Sequence, residues 1–458
     1  MSEIDNTFKA LAGLGIKQFR FAFAWDGIET APGKLDWGFW DHVVLEAKRH
    51  GITLIPYVCF TPAWAARNGE NSWAQPPKDL AALGRFMAVI AARYRNEISV
   101  WELWNEPDNR HYWTGTAAEF SELIKIAAVE TRKANPNALL VLGGFARADR
   151  FAEVALETHQ LDRWVDVIAV HGYHETWEPE PVEEYAHKVA IVSNLIAQNR
   201  SGADLWFNEI GFSSKRGELA QAIHLWKQHA IILASEDVSL TAWYRIWDLP
   251  KKQNVIGDDH NRHLGLIALG GRAKPSLSAF RAVRRALGGS MRVLRSNELR
   301  VRGLGQGAQV YVFERADDTL VILGWLPQNQ SKARTLTIEF LNHAPSGLRV
   351  ITATGEPVES SARVSGRTLR GVRLQSNDLF IALLDAAVFH GRERIFSFNN
   401  IRDSGWTLKP LSAILSSQSG SRRHLGSLRR VHDSNDNGTD AGRATWRLRQ
   451  SAGDKPAY

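Results

Sequence analysis

The chain has 458 residues, 44% of them apolar, with one cysteine and a formal net charge of +7. That length exceeds what one hydrophobic core usually supports, and a lone Cys59 excludes an intramolecular disulfide framework. From Gly391 onward 12 Lys and Arg stand against 6 Asp and Glu, a net of +6, so the remaining 44 basic and 43 acidic residues leave the body at +1 and argue against a basic, nucleic-acid-binding fold.

In chain order, residues 7–14 read as the end of a helix stopped by Gly15, and residues 16–25 as a strand containing Arg20. Trp37, Trp40, Val43, Val44 and Ala47 recur at helical intervals through residues 36–50. Gly51 stops that helix and a strand over residues 53–60 follows, with Cys59 as apolar filler. The alternation continues with a helix over about 78–95 and a strand over 99–104. Thr116 and Glu119 then form a capping box for a helix to about 134. Strands at 138–145, 165–173, 204–212 and 239–248 follow, with helices at about 182–198, 218–235 and 275–287.

Strands that alternate with helices of this length pair in parallel through right-handed crossovers, and these strands are apolar on both faces. The pattern predicts a (β/α)8 TIM-type barrel over residues 1–287, with seven of its strands visible. An open doubly wound sheet is the alternative, but no Gly-rich phosphate loop follows an early strand. After Gly288, period-two segments separated by Gly, Asn, Asp and Pro predict a small antiparallel β-sandwich over residues 288–388. Residues 389–458 are rich in Ser, Arg and Gly without periodicity and predict a disordered basic tail. A reading as a nucleic-acid binder through Arg422, Arg423, Arg429 and Arg430 would account for that tail and for nothing in the barrel. No run reaches the length of a membrane span, and M-S-E-I-D-N-T lacks the charged-then-apolar pattern of a signal peptide.

The strand S-V-W-E-L-W runs into Asn105, Glu106 and Pro107, and Pro107 predicts an extended Glu106 aimed out of the strand's carboxyl end. The strand ending at Glu209 finishes in the same Asn-Glu pair. A strand-end carboxylate flanked by indoles is a candidate acid or base, the blander reading being a strand cap by Asn105 with a solvated Glu106. Two, on different parallel strands, are the equipment for glycosidic bond cleavage. Arg20 and His171 also fall at strand ends and are available donors, although an internal ion pair and a core histidine explain them equally well taken singly. No ligand spacing around His171 and His174 points to a metal, so neither metal nor other cofactor is expected.

W-N-E-P at 104–107, H-G-Y at 171–173, F-N-E-I-G at 207–211 and G-R-A-K-P at 271–275 resemble the glycoside hydrolases of clan A over roughly Leu11 to Leu287, and within the clan family 39 most. The resemblance implies Glu106 as general acid/base and Glu209 as nucleophile of a retaining hydrolase. It further implies Asn105 on the sugar 2-hydroxyl and Tyr173 holding Glu209. Trp243 would be an aromatic floor under the sugar, with Trp247 the alternative. Glu106 would have to be protonated near neutral pH, which burial beside Trp101 and Trp104 and the charge of Glu209 favour. The implied substrate is a polysaccharide or oligosaccharide, exopolysaccharide, xylan- or glucan-like, with no nucleic-acid partner. The alternative is a non-catalytic carbohydrate-binding barrel of polysaccharide assembly. If Glu106 follows strand four, Ile16 begins strand two, and the expectation is one of two: the natural product begins further upstream, with strand one and room for an export signal of the kind periplasmic or secreted relatives carry, or the chain starting at Met1 is poorly soluble; localisation stays open.

Overall fold

The computed structural model describes residues 2–388 apart from 69–70, 252–254, 329, 331 and 377. The expectation of a disordered tail over 389–458 lies outside the described residues.

Seven strands form one curled parallel sheet in sequence order: β1 (Gln18–Ala24), β2 (Thr53–Cys59), β3 (Val100–Leu103), β4 (Leu139–Phe145), β5 (Val167–Gly172), β6 (Asp204–Ile210) and β7 (Val238–Trp243). The helices that cover it are α1 (Ser2–Gly13), α2 (Gly38–Arg49), α3 (Ala81–Arg93), α4 (Ala117–Ala134), α5 (Tyr185–Asn199), α6 (Glu218–Leu233) and α7 (Pro275–Leu287). This is the (β/α) barrel architecture expected, with β1 and β7 as the two ends of the sheet. Burial follows position: β3, β4 and β5 are buried along their whole length, whereas Phe23 is the one buried residue of β1 and Val238 that of β7. Central strands lie under helices on one face and the barrel interior on the other; end strands lack a neighbour on one side.

Local chemistry sets the element ends. Thr116 and Glu119 close the expected capping box on α4, each side chain bonded to the other's backbone N–H. Pro275 opens α7, where a missing N–H costs nothing. Near its C-terminus Arg284 bonds the carbonyls of Leu14 and Gly15, tying the closing helix to the turn that enters β1. One strand is shorter than expected: β7 stops at Trp243 rather than Asp248, because Arg245 and Ile246 turn to bond Leu264, Leu266 and Ile267.

Residues 291–388 form two antiparallel sheets. The five-stranded one contains Met291–Val293, Gln309–Arg315, Thr319–Trp325, Phe380–Val388 and His343–Ile351 in spatial order. The four-stranded one contains Leu299–Arg302, Arg334–Phe340, Thr368–Leu374 and Arg363–Ser365. The period-two pattern of Thr319–Trp325 sends Leu320 and Ile322 into the core between these sheets and Val321, Leu323 and Trp325 into the barrel's core. That sheet is therefore buried on both faces, and the barrel side is locked by Trp226 Nε1 donating to Ala353 O at 2.7 Å. Among the described residues no helix is long and apolar enough to cross a membrane.

Candidate active site

The carboxyl ends of β1, β3, β5 and β6 converge on one cluster. Its base is Glu102, fully buried in mid-strand, which accepts from Arg20 Nε at 2.6 Å and Nη2 at 2.8 Å, from Asn208 Nδ2 at 2.9 Å and from Gly144 N at 3.2 Å. A buried carboxylate is tolerated when its lone pairs are all used and a counter-charge is at hand, and both conditions hold here. Arg20 also donates to Asn105 Oδ1 at 2.6 Å, lies over the Tyr57 ring at 4.2 Å, and reaches Glu209 Oε1 at 3.8 Å. It is thus at once an internal ion pair and a neighbour of the strand-end carboxylate, so the two readings of Arg20 describe one residue.

Glu106 and Glu209 meet at His171. Nδ1 of that fully buried ring lies 2.8 Å from Glu106 Oε1 and 2.6 Å from Glu209 Oε2, so those two oxygens are no further apart than the sum, about 5.4 Å. Their other partners differ. Glu106 Oε2 accepts from the neutral amide of Asn109 at 2.7 Å, whereas Glu209 also has the Arg20 cation and a hydrogen bond from the Tyr173 side chain. Burial opposes ionisation of Glu209, but His171, Arg20 and Tyr173 outweigh it and hold the carboxyl down at about 2. Burial likewise opposes a charge on His171, and the two carboxylates raise its pKa to about 9. Nδ1 of one imidazole is therefore shared between the two carboxyl groups.

Glu106 departs from the extended conformation that Pro107 led us to expect. Its φ is +44°, and that of Trp104 is +79°. The chain bends here because Trp104 N donates to Val58 O at 2.9 Å and Glu106 N to Gly144 O at 3.0 Å, which wrap the end of β3 around both neighbouring strands. Side chains pay of order 1–3 kcal/mol for such backbone, a strain typical of functional sites. The Gly143-Gly144 pair makes room for it: a Cβ on Gly143 would stand 2.3 Å from Trp104 O, and one on Gly144 2.1 Å from His171 Nε2. Trp101 and Trp104 turn into the core, against Phe23 and Trp113.

Four tyrosines surround the carboxylates. Tyr57, Tyr112, Tyr173 and Tyr244 all have phenols pushed up, first by desolvation and also by the charge of Glu209. Only Tyr173 was legible beforehand, from H-G-Y. Trp243 donates its indole N–H to Leu264 O at 3.3 Å and packs against the core, as Trp247 does. The next residue, Tyr244, stands edge-on to Tyr173 with ring centroids 6.3 Å apart. Lys274 of G-R-A-K-P is buried and bonds Asp248 at 2.7 Å and Ser214 at 2.8 Å.

The loop after β5 carries Tyr173 and is tied down on several sides. Tyr173 N donates to Glu178 Oε1 at 2.8 Å, and Glu178, also paired with Lys188 and His174, is held at about 2 against its burial. Glu175 accepts from Gln328 Nε2 at 2.9 Å and Glu183 from Trp325 Nε1 at 2.7 Å, both donors coming from the sandwich. Glu106, His171 and Glu209 would also fit around one cation by distance. Such an ion would have to displace the Nδ1 proton and sit beside Arg20, so the proton is the better occupant.

Residues 2–247 match the sequence profile of the family described as Cellulase (glycosyl hydrolase family 5). The chain belongs to that family. The match spans all seven strands of the parallel sheet and both Asn-Glu strand ends, and family 5 lies in clan A, so this family 5 chain is an O-glycosyl hydrolase. No match is found among curated protein sequences. Solved structures share the fold at low identity. One is a family 39 glycoside hydrolase from the gut symbiont Bacteroides cellulosilyticus WH2, with 18% identity and TM-score 0.66 over 84% of this chain and 78% of that one. A monomeric β-xylosidase from Caulobacter crescentus CB15 follows with 18% identity and TM-score 0.59, over 83% and 92%. A family 30 subfamily 8 xylanase from Clostridium acetobutylicum shows 14% identity and TM-score 0.59, also over 83% and 92%.

Proposed function

We propose that this family 5 chain is a retaining glycosidase in which Glu209 is the nucleophile and Glu106 the general acid/base. The observation that carries the reading is the shared His171: oxygens of the two carboxyls lie within 4.8 Å of one another, well inside the separation of an inverting pair. Retaining enzymes hold their carboxyls about 5–5.5 Å apart, whereas inverting ones leave about 6.5–9.5 Å for a water. The partners assign the roles. Both carboxyls share His171, but Glu209 is faced in addition by Arg20 and Tyr173, stays ionised and can attack; Glu106 has Asn109 in place of a guanidinium and takes the acid/base role.

In the first step Glu106 gives its proton to the glycosidic oxygen as that bond to the anomeric carbon breaks, and Glu209 forms an ester with the same carbon. In the second, Glu106 takes a proton from water, the water oxygen attacks the anomeric carbon, and Glu209 leaves as carboxylate. Asn105 is buried with Oδ1 engaged by Arg20, so its NH2 group is the one to meet the sugar 2-hydroxyl. Tyr244 takes the place under the sugar that Trp243 was expected to fill. His171 acts as a positioning cation between the two carboxyls.

The barrel, residues 1–287, is the catalytic domain in this reading, and the sandwich, 288–388, supports it. The substrate is a β-linked polysaccharide or oligosaccharide, a class that includes the substrates named for the xylanase and β-xylosidase of like fold. Incubation with 2-fluoro glycosides, followed by intact mass and peptide mapping, tests the assignment: a single sugar ester on Glu209 is expected. An ester elsewhere, or an inverted product from an activated substrate, overturns it.

A further inference from the structure

Two charged side chains at the carboxyl end of the sheet take no part in the reaction scheme above. Asp108 follows Glu106 and Pro107 in the loop after β3, and Lys188 lies on α5 with only 6% of its surface exposed. A lysine placed so deeply is tolerated only where its N–H groups find acceptors.

The two are joined by the residues that follow β4. Asp108 Oδ1 accepts from Ala146 N at 2.8 Å, and Oδ2 accepts from Arg147 N at 2.8 Å and from Ala148 N at 3.2 Å. One carboxylate thus gathers three successive N–H groups and fixes a backbone that turns left-handed at Ala148, with φ +53°. Burial pushes Asp108 up to about 6; the bonds from Arg147 and Ala146 pull the other way, and the charges of Glu106 and Asp149 add to the rise. Lys188 Nζ donates to the carbonyl of the same Ala146 at 2.9 Å and to Glu178 Oε2 at 2.9 Å. Glu178 Oε1 in turn accepts from Tyr173 N at 2.8 Å, and the Tyr173 side chain bonds Glu209. At the other end, Asn109, the neighbour of Asp108, holds Glu106 Oε2 at 2.7 Å. A continuous path therefore runs from Glu106 through the loops after β3, β4 and β5 to the side chain that bonds Glu209.

We propose that Asp108 and Lys188 are positioning residues, which make residues 146–148 a strut that sets the distance between Glu106 and Tyr173 and, through Tyr173, the separation of the two carboxyls. This rests on the glycosidase reading and goes beyond it by naming two residues that act through Glu106 and Tyr173 rather than on the sugar. Each tie lands on the backbone of a segment that carries a reacting group or its partner. A misplacement of about 1 Å in such a site is worth about 10²-fold in rate.

The test uses the full chain and two readouts, one of them free of substrate. Asp108→Asn replaces an oxygen that accepts N–H bonds by an NH2 group that cannot, and Lys188→Met keeps the stem while removing the donor. In hydrogen–deuterium exchange read by mass spectrometry, each variant is expected to exchange several-fold faster both at residues 146–148 and in the peptide from Tyr173 to Glu178. In Asp108→Asn, a rise confined to residues 146–148 overturns the strut. On dinitrophenyl and phenyl β-glycosides each variant should lower kcat about tenfold with KM changed less than about twofold, and Asp108→Asn should lose more on the phenyl series, which needs the proton from Glu106. The double variant should be no slower than the worse single one, because one break already frees the strut. Losses that multiply, or a changed KM with unaltered kcat, overturn the proposal. If Lys188→Met is unfolded at the assay temperature, the exchange pattern and leaving-group dependence of Asp108→Asn decide alone. Failure of the unsubstituted enzyme to cleave any of these glycosides counts against the glycosidase reading instead, and the exchange measurement still decides the strut.

Discussion

Nδ1 of His171 stands 2.6 Å from Glu209 Oε2 in the centre of the site, a contact that moves both groups' titration in opposite directions. Against burial, the carboxylates raise His171 from 6.5 to about 9, and His171, Arg20 and Tyr173 lower Glu209 from 4.5 to about 2. A raised histidine contributes stability that is complete below its unfolded value and lost as pH rises through the folded one. A depressed carboxylate contributes stability present above its unfolded value and lost as pH falls through the folded one. Stability from this contact is therefore greatest between about 4.5 and 6.5 and declines on both sides. The alkaline loss should be on the order of 3 kcal/mol, counted once for the pair. Melting temperature against pH should show a decline from about 6.5 to 9 that His171→Gln abolishes; an unchanged alkaline slope in that variant would contradict the assignment.

The catalytic roles predict different responses to leaving group. Glu209→Gln removes the proposed nucleophile and should abolish turnover of every substrate. Glu106→Ala should slow poor leaving groups by about 10²–10⁴-fold and spare very good ones, which depart without a proton. Azide should then rescue the Glu106 variant and give a glycosyl azide of retained configuration. Equal loss with all leaving groups would reassign the two residues.

Gly144 is predicted to be irreplaceable for a steric reason. A Cβ there would lie 2.1 Å from His171 Nε2 and 3.0 Å from Asn208 Oδ1, and the ring is buried with no free end to swing away. Gly144→Ala should cost about 1–3 kcal/mol through overpacking and lower kcat by displacing His171 from the carboxylates. Denaturant unfolding and kinetics on an activated glycoside measure the two effects; wild-type values of both would show that the ring has room.

The sandwich reaches the Tyr173 loop through Gln328 on Glu175 and Trp325 on Glu183. Trp325→Phe keeps the ring and removes the N–H donor, and Gln328→Ala removes the other tie. Each bond to a carboxylate is worth about 1.5–3 kcal/mol at most. The expected result is a lower melting temperature together with a fall in kcat greater than any change in KM, because Tyr173 bonds Glu209, the proposed nucleophile. A melting change with unaltered kinetics would make these ties purely structural.

Sequence alone determined the alternation of strands and helices, because a strand buried on both faces and an amphipathic helix each write a local period into the chain. It determined the two strand-end glutamates in the same way, since an Asn-Glu pair at the end of an apolar run has a fixed place at the sheet's carboxyl edge. Capping by Thr116 and Glu119 and the stop at Gly51 were equally local. What surrounds the glutamates was decided by the tertiary structure. Glu102 could be seen as a charge inside an apolar strand, yet only the sheet's curvature places it against Arg20, 82 residues earlier, and Asn208, 106 residues later. Tyr57, Tyr112 and Tyr244 look like ordinary strand and loop aromatics, and their shared focus exists only because parallel strands aim their carboxyl ends at one point. The left-handed turn at Glu106 went against the local bias imposed by Pro107, since hydrogen bonds from neighbouring strands outweigh a conformational preference of a few kcal/mol.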